Sequence, residues 1–352
     1  MSIMPLPGQE RRVQTCDPIW SSIRDEAEAA IRVEPALGGF IFATVLSHEC
    51  LEDAVFEPPH APAYRLKATA SASRGAHPTG VEDQSTMNAS APLPGRLTIE
   101  TDGAVRWIIV DNPGRLNALN SAMWAALPRL VGEAVADPAV RVIVLAGAGG
   151  KAFSAGADIS EFDTARTGDA AIAYDRLNNE AFECLTGCAK PTIAMIEGFC
   201  LGGGLELAAC CDIRYAAEGS QYSVPAAKLG IGYNPRWIRP LLASLTAARA
   251  KELLFTGRRF PAADALAMGF VNRVVAAGAL RAETMALAIE IAANAPLSVY
   301  AAKRAVDEFL AHPEQPDMAT LDRLVAACFE SADYTEGRRA FLEKRRPQFT
   351  GT

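Results

Sequence analysis

Histidine is nearly absent: the 352-residue chain has four, His48, His60, His77 and His312, and three of them precede residue 87. The fourth lies in the Pro-rich stretch His312-Pro313-Glu314-Gln315-Pro316. Acid/base work in the main body therefore falls to carboxylates or tyrosines. The eight cysteines are scattered over apolar stretches and follow no framework spacing, which reads as reduced, packed thiols. Cys184 and Cys188 stand four apart on an expected helix, but no second cysteine pair or histidine cluster accompanies them, so no metal site is expected. The chain also lacks a run of about eighteen apolar residues, and with it any expected membrane span. Pro5, Pro7 and Gly8 break the first ten residues as a signal segment. A basic arm is missing too, and the net charge is −7, which argues against nucleic acid as a partner. The expectation is a soluble, cytoplasmic protein.

Half the residues are apolar, enough for a sizeable core in one large domain or two. Asp17-Pro18 offers an N-cap and a first-turn proline, and Ile19, Ile23, Ala27, Ala30 and Ile31 repeat at helical spacing. A second helix is expected over 38–55. Residues 58–94 turn to Ala, Ser, Pro, Gly and Thr without periodicity and read as a disordered linker. Met87 stands just ahead of a complete-looking domain, so the preceding residues read as a fusion remnant or a misplaced start. The expected organisation is a helical fragment at 1–57, the linker at 58–94, a core at 95–275 and a helical region at 276–352.

Two β-rich runs, 96–100 and 105–110, flank an Asp102-Gly103 hairpin turn. A helix is expected over 117–132, with Ser121 as a possible cap, Trp124, Leu127 and Leu130 as its apolar members, and Pro128 expected to kink or shorten it. A strand at 142–145, a loop at 151–162, a helix at 169–188 and a strand at 191–196 follow. Strands alternating with helices argue for stacked βα units. Beyond residue 275 the chain reads as helix over 279–309 and 321–341.

The organising stretch is Glu197-Gly198-Phe199-Cys200-Leu201-Gly202-Gly203-Gly204-Leu205-Glu206. An apolar strand runs into three glycines and then into a helix. Glycines at such a joint bring backbone N–H groups unobstructed to a ligand oxygen, and the helix adds the positive end of its dipole. A second stretch, Lys151-Ala152-Phe153-Ser154-Ala155-Gly156-Ala157-Asp158-Ile159, also brings small residues to the end of a strand. Two such approaches supply two main-chain donors for one oxyanion. Glu206 reads either as a first-turn acid favoured by the dipole or as a catalytic carboxyl.

Together with Asn112-Pro113-Gly114-Arg115-Leu116-Asn117-Ala118-Leu119 and the closing Phe341-Leu342-Glu343-Lys344-Arg345-Arg346-Pro347-Gln348-Phe349, these segments resemble the enoyl-CoA hydratase/isomerase (crotonase) family. The resemblance runs from about residue 95 to residue 351. It implies an α/β fold, a β-β-α spiral with a C-terminal helical trimerisation region, and a homotrimer or dimer of trimers. It also implies an acyl-CoA substrate, coenzyme A being part of that substrate and not a separate cofactor. By the resemblance, the amides of Ala157 and Gly203 bind the thioester carbonyl. Ala118, Ala155, Asp158, Ile159, Gly202, Pro225, Ala226 and Leu229 line the substrate track, and Arg115 stands near its entrance for the CoA phosphates. The run 344–346 and the pairs Lys303-Arg304 and Arg258-Arg259 are further phosphate candidates. Residues 17–56 resemble the N-terminal helical segment of serine acetyltransferases, but the hexapeptide repeats that carry acetyl transfer there are missing, and no activity is carried over.

Glu206 matches the first catalytic glutamate of the family, whereas the position of the second is occupied by Ala226, which handles no proton. Tyr233 is the nearest polar replacement, or else a loop aromatic with its hydroxyl in water. Three readings follow: hydration or double-bond isomerisation of an enoyl-CoA, decarboxylation of a methylmalonyl-CoA-like thioester with Tyr233 orienting the carboxylate, and a catalytically weak acyl-CoA-binding protein.

Overall fold

The computed structural model describes residues 95–162 and 168–352. The expected helices before residue 57 and the expected linker lie outside the described residues.

The chain opens with the hairpin β1 (Arg96–Asp102) and β2 (Val105–Asp111), whose register runs from Arg96 opposite Asp111 to Asp102 opposite Val105. It then alternates between two sheets. β3 (Val142–Gly147), β5 (Thr192–Ile196) and β7 (Ile213–Ala217) join the hairpin and β10 (Arg273–Val275) in a six-stranded sheet of order β1-β2-β3-β5-β7-β10. Each of β3, β5 and β7 is followed by a three-residue strand in a second sheet: β4 (Ala152–Ser154), β6 (Phe199–Leu201) and β8 (Gln221–Ser223), closed by β9 (Phe260–Pro261). The path is a spiral that lays one parallel strand in each sheet per turn. Gly198 makes the second crossing possible: its φ is +69°, and a Cβ there would lie 2.0 Å from the carbonyl oxygen of Lys151.

Strand alternation divides two cores. Ile108, Val110, Ile143 and Leu145 face inward, toward Trp124, Phe153, Phe182 and Leu205. Trp107, Val142, Val144 and Ile193 face the other side, covered by α7 (Leu280–Ala292) through Leu280 and Ala288. β3 and β5 read as unbroken apolar runs because both faces are buried.

The inner core is walled by α1 (Ser121–Ala136), α2 (Gly168–Thr186) and α3 (Gly203–Ala209). α1 is capped by Asn120, whose side chain accepts from the Met123 N–H at 2.9 Å, and not by Ser121. Pro128 does not end it. Six residues of this helix, Met123, Trp124, Leu127, Leu130, Val131 and Ala134, are buried, and that packing outweighs one lost backbone hydrogen bond. The short helices α4 (Ile238–Ser244), α5 (Ala247–Thr256) and α6 (Ala262–Ala267) complete the spiral. Each expected C-terminal helix is divided in two. α7 breaks before Pro296, the first residue of α8 (Pro296–Ala311), and α9 (Met318–Glu330) ends at Ser331, which caps α10 (Ala332–Glu343) by accepting from the Tyr334 N–H. No single described helix is long and apolar enough to cross a membrane.

Candidate active site

The first wall of the site is built by Asn117. Leu116 and Asn117 take left-handed φ values of 52° and 55°, a conformation asparagine tolerates better than most residues. The Asn117 side chain is fully buried. Its Oδ1 accepts from the Asn112 N–H at 3.0 Å, and its Nδ2 donates to the carbonyls of Ala148 at 2.9 Å and Ala152 at 2.6 Å. Ser154 Oγ donates to the Asn117 carbonyl at 2.8 Å and accepts from the Gly156 N–H at 3.0 Å. Asn117→Leu leaves these buried groups unpaired, and a loss of about 3 kcal/mol or more in folding free energy is expected from denaturant titration. An unchanged midpoint would show that the hub is not structural.

The hub fixes the backbone of 155–158 against 116–119. Ala155 N–H donates to the Leu116 carbonyl, Leu119 N–H to that of Gly156, and Asp158 N–H to that of Leu119. Leu119 and Ala157 thus form a parallel bridge in which Leu119 uses both of its own polar groups. The N–H of Ala157 points to the opposite side.

Gly203 stands on that side. A Cβ on Gly156, whose φ is +92°, would lie 2.7 Å from the Gly203 nitrogen and 2.9 Å from the Leu201 carbonyl oxygen. Gly203 opens α3 after Gly202, which has no capping side chain and whose own N–H is held by the Ser223 carbonyl at 2.8 Å. First-turn amides of a helix have no partner within it. Among the described residues neither the Ala157 nor the Gly203 amide has a hydrogen-bond acceptor.

One helical turn further on lies Glu206, with no exposed surface. Tyr233 donates its hydroxyl to Glu206 Oε2, and Cys210 Sγ lies 4.0 Å from Oε1. Burial pushes the Glu206 carboxyl up from its ordinary value near 4.5 to about 8, against the pull of the Tyr233 hydrogen bond. The Tyr233 hydroxyl is itself raised, by burial and by the neighbouring carboxyl. Burial thus favours the protonated form of Glu206.

Ala226 sits half-buried on the 3-10 turn Pro225–Leu229 and brings no polar atom. Ala118 is buried, and Ile159 and Leu229 are exposed at the rim. Arg115 is not free: its Nη1 contacts both carboxylate oxygens of Asp158 at 2.7 Å and also meets Ser160. Burial raises the Asp158 carboxyl, but hydrogen bonds from Ser160 and Arg115 outweigh it and hold the group below its ordinary value. Of the other basic candidates, Lys303 is 8% exposed and bound to Asp212, Arg345 is held by Glu336 and Glu343, and Arg258 by Glu252.

An aromatic wall was not legible as part of the site. Trp124, Phe182, Trp237 and Tyr233 stand in an edge-to-face row with centroids 5.5, 5.2 and 5.6 Å apart. Trp124 read only as a core member of α1, and Trp237 carried no signal at all. Among the described residues no group of three or more His, Cys, Asp or Glu side chains could hold a metal ion.

The sequence pattern described as Enoyl-CoA hydratase/isomerase matches residues 100–352. The chain belongs to the enoyl-CoA hydratase/isomerase family. A short-chain-enoyl-CoA hydratase of Clostridium acetobutylicum is 34% identical over 250 residues, 71% of this chain and 95% of that protein. A crotonyl-CoA hydratase of Syntrophomonas wolfei is 32% identical over 260 residues, 72% of this chain and 97% of its own length. The crystal structure of an enoyl-CoA hydratase/carnithine racemase from Magnetospirillum magneticum superposes with a TM-score of 0.70 at 39% identity, covering 73% of this chain and 96% of that one. Residues 19–60 match the N-terminal pattern of serine acetyltransferases. Every site residue described above falls within the enoyl-CoA hydratase/isomerase match. At the glycine turn the chain has one fully buried carboxyl, Glu206.

Proposed function

We propose that the protein shifts the double bond of an enoyl-CoA through a thioester enolate, with hydration as a slower reaction of the same site. The observation that carries this is Glu206, a carboxyl with no exposed surface and, unlike Asp158, no cationic partner among the described residues, one turn beyond the acceptor-free amide of Gly203. The amides of Ala157 and Gly203 accept the thioester oxygen as it gains charge, a contribution of roughly 3 to 4 kcal/mol per donor in comparable sites. Ionised Glu206 takes a proton from C2 of a 3-enoyl thioester, and the electron pair moves onto the carbonyl oxygen. The same carboxyl returns the proton to C4 as the conjugated 2-enoyl thioester forms.

Hydration balances with one carboxyl as well: Glu206 takes a proton from water, the hydroxide bonds to C3, and the proton goes to C2. It lacks, at Ala226, the second group that would hold the water, and for that reason it is slower. The Tyr233 hydroxyl is engaged by Glu206. That favours double-bond migration over decarboxylation, a reading in which the Tyr233 hydroxyl would instead orient the substrate carboxylate.

Ala118, Ala155, Asp158, Ile159, Gly202, Pro225, Ala226 and Leu229 line the thioester track in this reading. Arg115 meets the CoA phosphates only with the guanidinium donors that Asp158 leaves free. The apolar surface of Phe309, Val325, Phe329, Phe341 and Leu342 on the C-terminal helices, all at least 49% exposed, fits a trimer or a dimer of trimers.

The test uses full-length protein with 3-hexenoyl-CoA and crotonyl-CoA, followed by the absorbance of the conjugated thioester. A gain with the first at least about tenfold faster than the loss with the second is expected. Faster crotonyl-CoA hydration would overturn the order of the two reactions, and tight binding without turnover of either would leave a binding protein. Tyr233→Phe gives a second check. The hydrogen bond from Tyr233 lowers the Glu206 pKa, so its loss moves the rising limb of kcat/KM above the value of about 8. A limb that stays in place or falls would separate Tyr233 from Glu206.

A further inference from the structure

A second hollow lies away from the glycine turn, at the break between α7 and α8. Pro296 opens α8 and has no N–H with which to continue the preceding helix, and the chain bends there by 105°. Between this bend and the end of α1 lies a cavity of about 260 Å³. Its apolar wall comes from Val135 of α1, Val140 ahead of β3, Ile291 of α7, and Leu297, Val299 and Tyr300 of α8. Val140 is buried and the other five are half-buried, so the space is a recess and not an exposed patch. Ala189, Lys190 and Pro191, which precede β5, also line it. The glycine turn follows the other end of that five-residue strand, roughly 16 Å away.

The charged residues in the lining are both cations, Arg141 and Lys190. Lys190 Nζ donates to the carbonyls of Ala134 at 2.8 Å and Asp137 at 2.6 Å, and Arg141 Nη2 to those of Phe349 at 3.3 Å and Thr350 at 3.2 Å. Among the described residues neither is ion-paired. The acid beside them, Asp137, has one carboxylate oxygen on Arg106 at 3.0 Å and the other on the Ala139 N–H at 3.0 Å. Burial lowers the Lys190 ammonium from its ordinary value, against the attraction of Asp137. An ammonium has three N–H donors and a guanidinium five, so both groups keep donors beyond those the carbonyls take.

We propose that this cavity is a binding site for an amphiphilic carboxylate, whose alkyl tail fills the space between Val135, Ile291 and Leu297 and whose head group is held by Arg141 and Lys190. Charge complementarity selects the head: two cations without a carboxylate stand in an otherwise apolar recess, where water screens a charge-assisted hydrogen bond less than at an open surface. The volume selects a small ligand, since sites for drug-sized molecules occupy roughly 300 to 1,000 Å³. The site is independent of the proposed acyl-CoA chemistry. A thioester has no charge at the head of its chain, whereas a free carboxylic acid does.

The experiment is calorimetric binding of octanoate, 1-octanol and acetate to the full-length protein, to Arg141→Gln and to Ala292→Phe, in which a ring fills the cavity from its α7 side. Wild type is expected to bind one octanoate per chain, at least about tenfold tighter than either 1-octanol, which lacks the charge, or acetate, which lacks the tail. Arg141→Gln is expected to weaken octanoate about tenfold without changing 1-octanol, and Ala292→Phe to abolish both. Equal binding of octanol and octanoate would overturn the role of the cations, and equal binding of acetate would leave only a surface anion site. Octanoate binding that survives Ala292→Phe would place the ligand elsewhere, the acyl-CoA site included, and absence of octanoate binding to wild type would remove the proposal. The three wild-type titrations and Arg141→Gln decide the matter even if Ala292→Phe does not fold.

Discussion

Glu206→Gln is expected to lower kcat by about a thousandfold while changing thioester affinity by less than about threefold. Glutamine keeps the shape of the side chain and still accepts from the Tyr233 hydroxyl, but it neither takes nor returns a proton. The same substitution carries a thermodynamic signature. The folded Glu206 carboxyl titrates near 8 and the unfolded one near 4.5. Between those values the folded state keeps a proton that the unfolded state has lost, so this group's contribution to stability falls as pH rises through that window. Denaturant titrations at pH 5 and pH 8 should show a decline in wild type that is smaller in Glu206→Gln. Wild-type turnover in a folded Glu206→Gln preparation would remove the carboxyl from the mechanism. An unchanged pH dependence would instead show that Glu206 is not buried as a neutral acid.

The parts of the site that sequence revealed were those where backbone shape leaves a compositional mark. Three consecutive glycines after an apolar strand are rare enough to announce a close approach at Gly203, and Ala226 was informative because the resemblance supplied an acid to miss. The second sheet left little trace. β4, β6 and β8 have three residues each, too few for an alternation to stand out, so 151–162 read as a loop and Phe199–Leu201 as part of a turn. The helix runs past Pro128 to Ala136, against local propensity, because that propensity says nothing of the six residues this helix buries. Arg115 looked free because its partner, Asp158, lies 43 residues away in sequence. The aromatic wall illustrates the same limit: Trp124, Phe182 and Trp237 come from α1, from α2 and from the loop before α4, and only the spiral brings them together.

Gly156→Ala is expected to lower kcat by about a hundredfold to a thousandfold, the loss associated with one misplaced oxyanion donor. The added methyl would begin 2.7 Å from the Gly203 nitrogen and 2.9 Å from the Leu201 carbonyl oxygen, both backbone atoms that cannot rotate aside. It would also hold an L-residue at a φ of +92°, a strain of about 1 to 3 kcal/mol. The chain relieves the overlap by separating 155–158 from 201–204, which pulls apart the two amides proposed to meet at the thioester oxygen. The rate should therefore fall further than stability alone explains. The control is Gly132→Ala on α1, where an added Cβ meets nothing within 4 Å, and there the gain in helix propensity leaves the rate intact and stability equal or higher. Thermal melts and steady-state kinetics of the two variants separate the effects. If folded Gly156→Ala turned over at the wild-type rate, the Ala157 and Gly203 amides would not act together on one oxygen, and the enolate mechanism would lose its stabilising element.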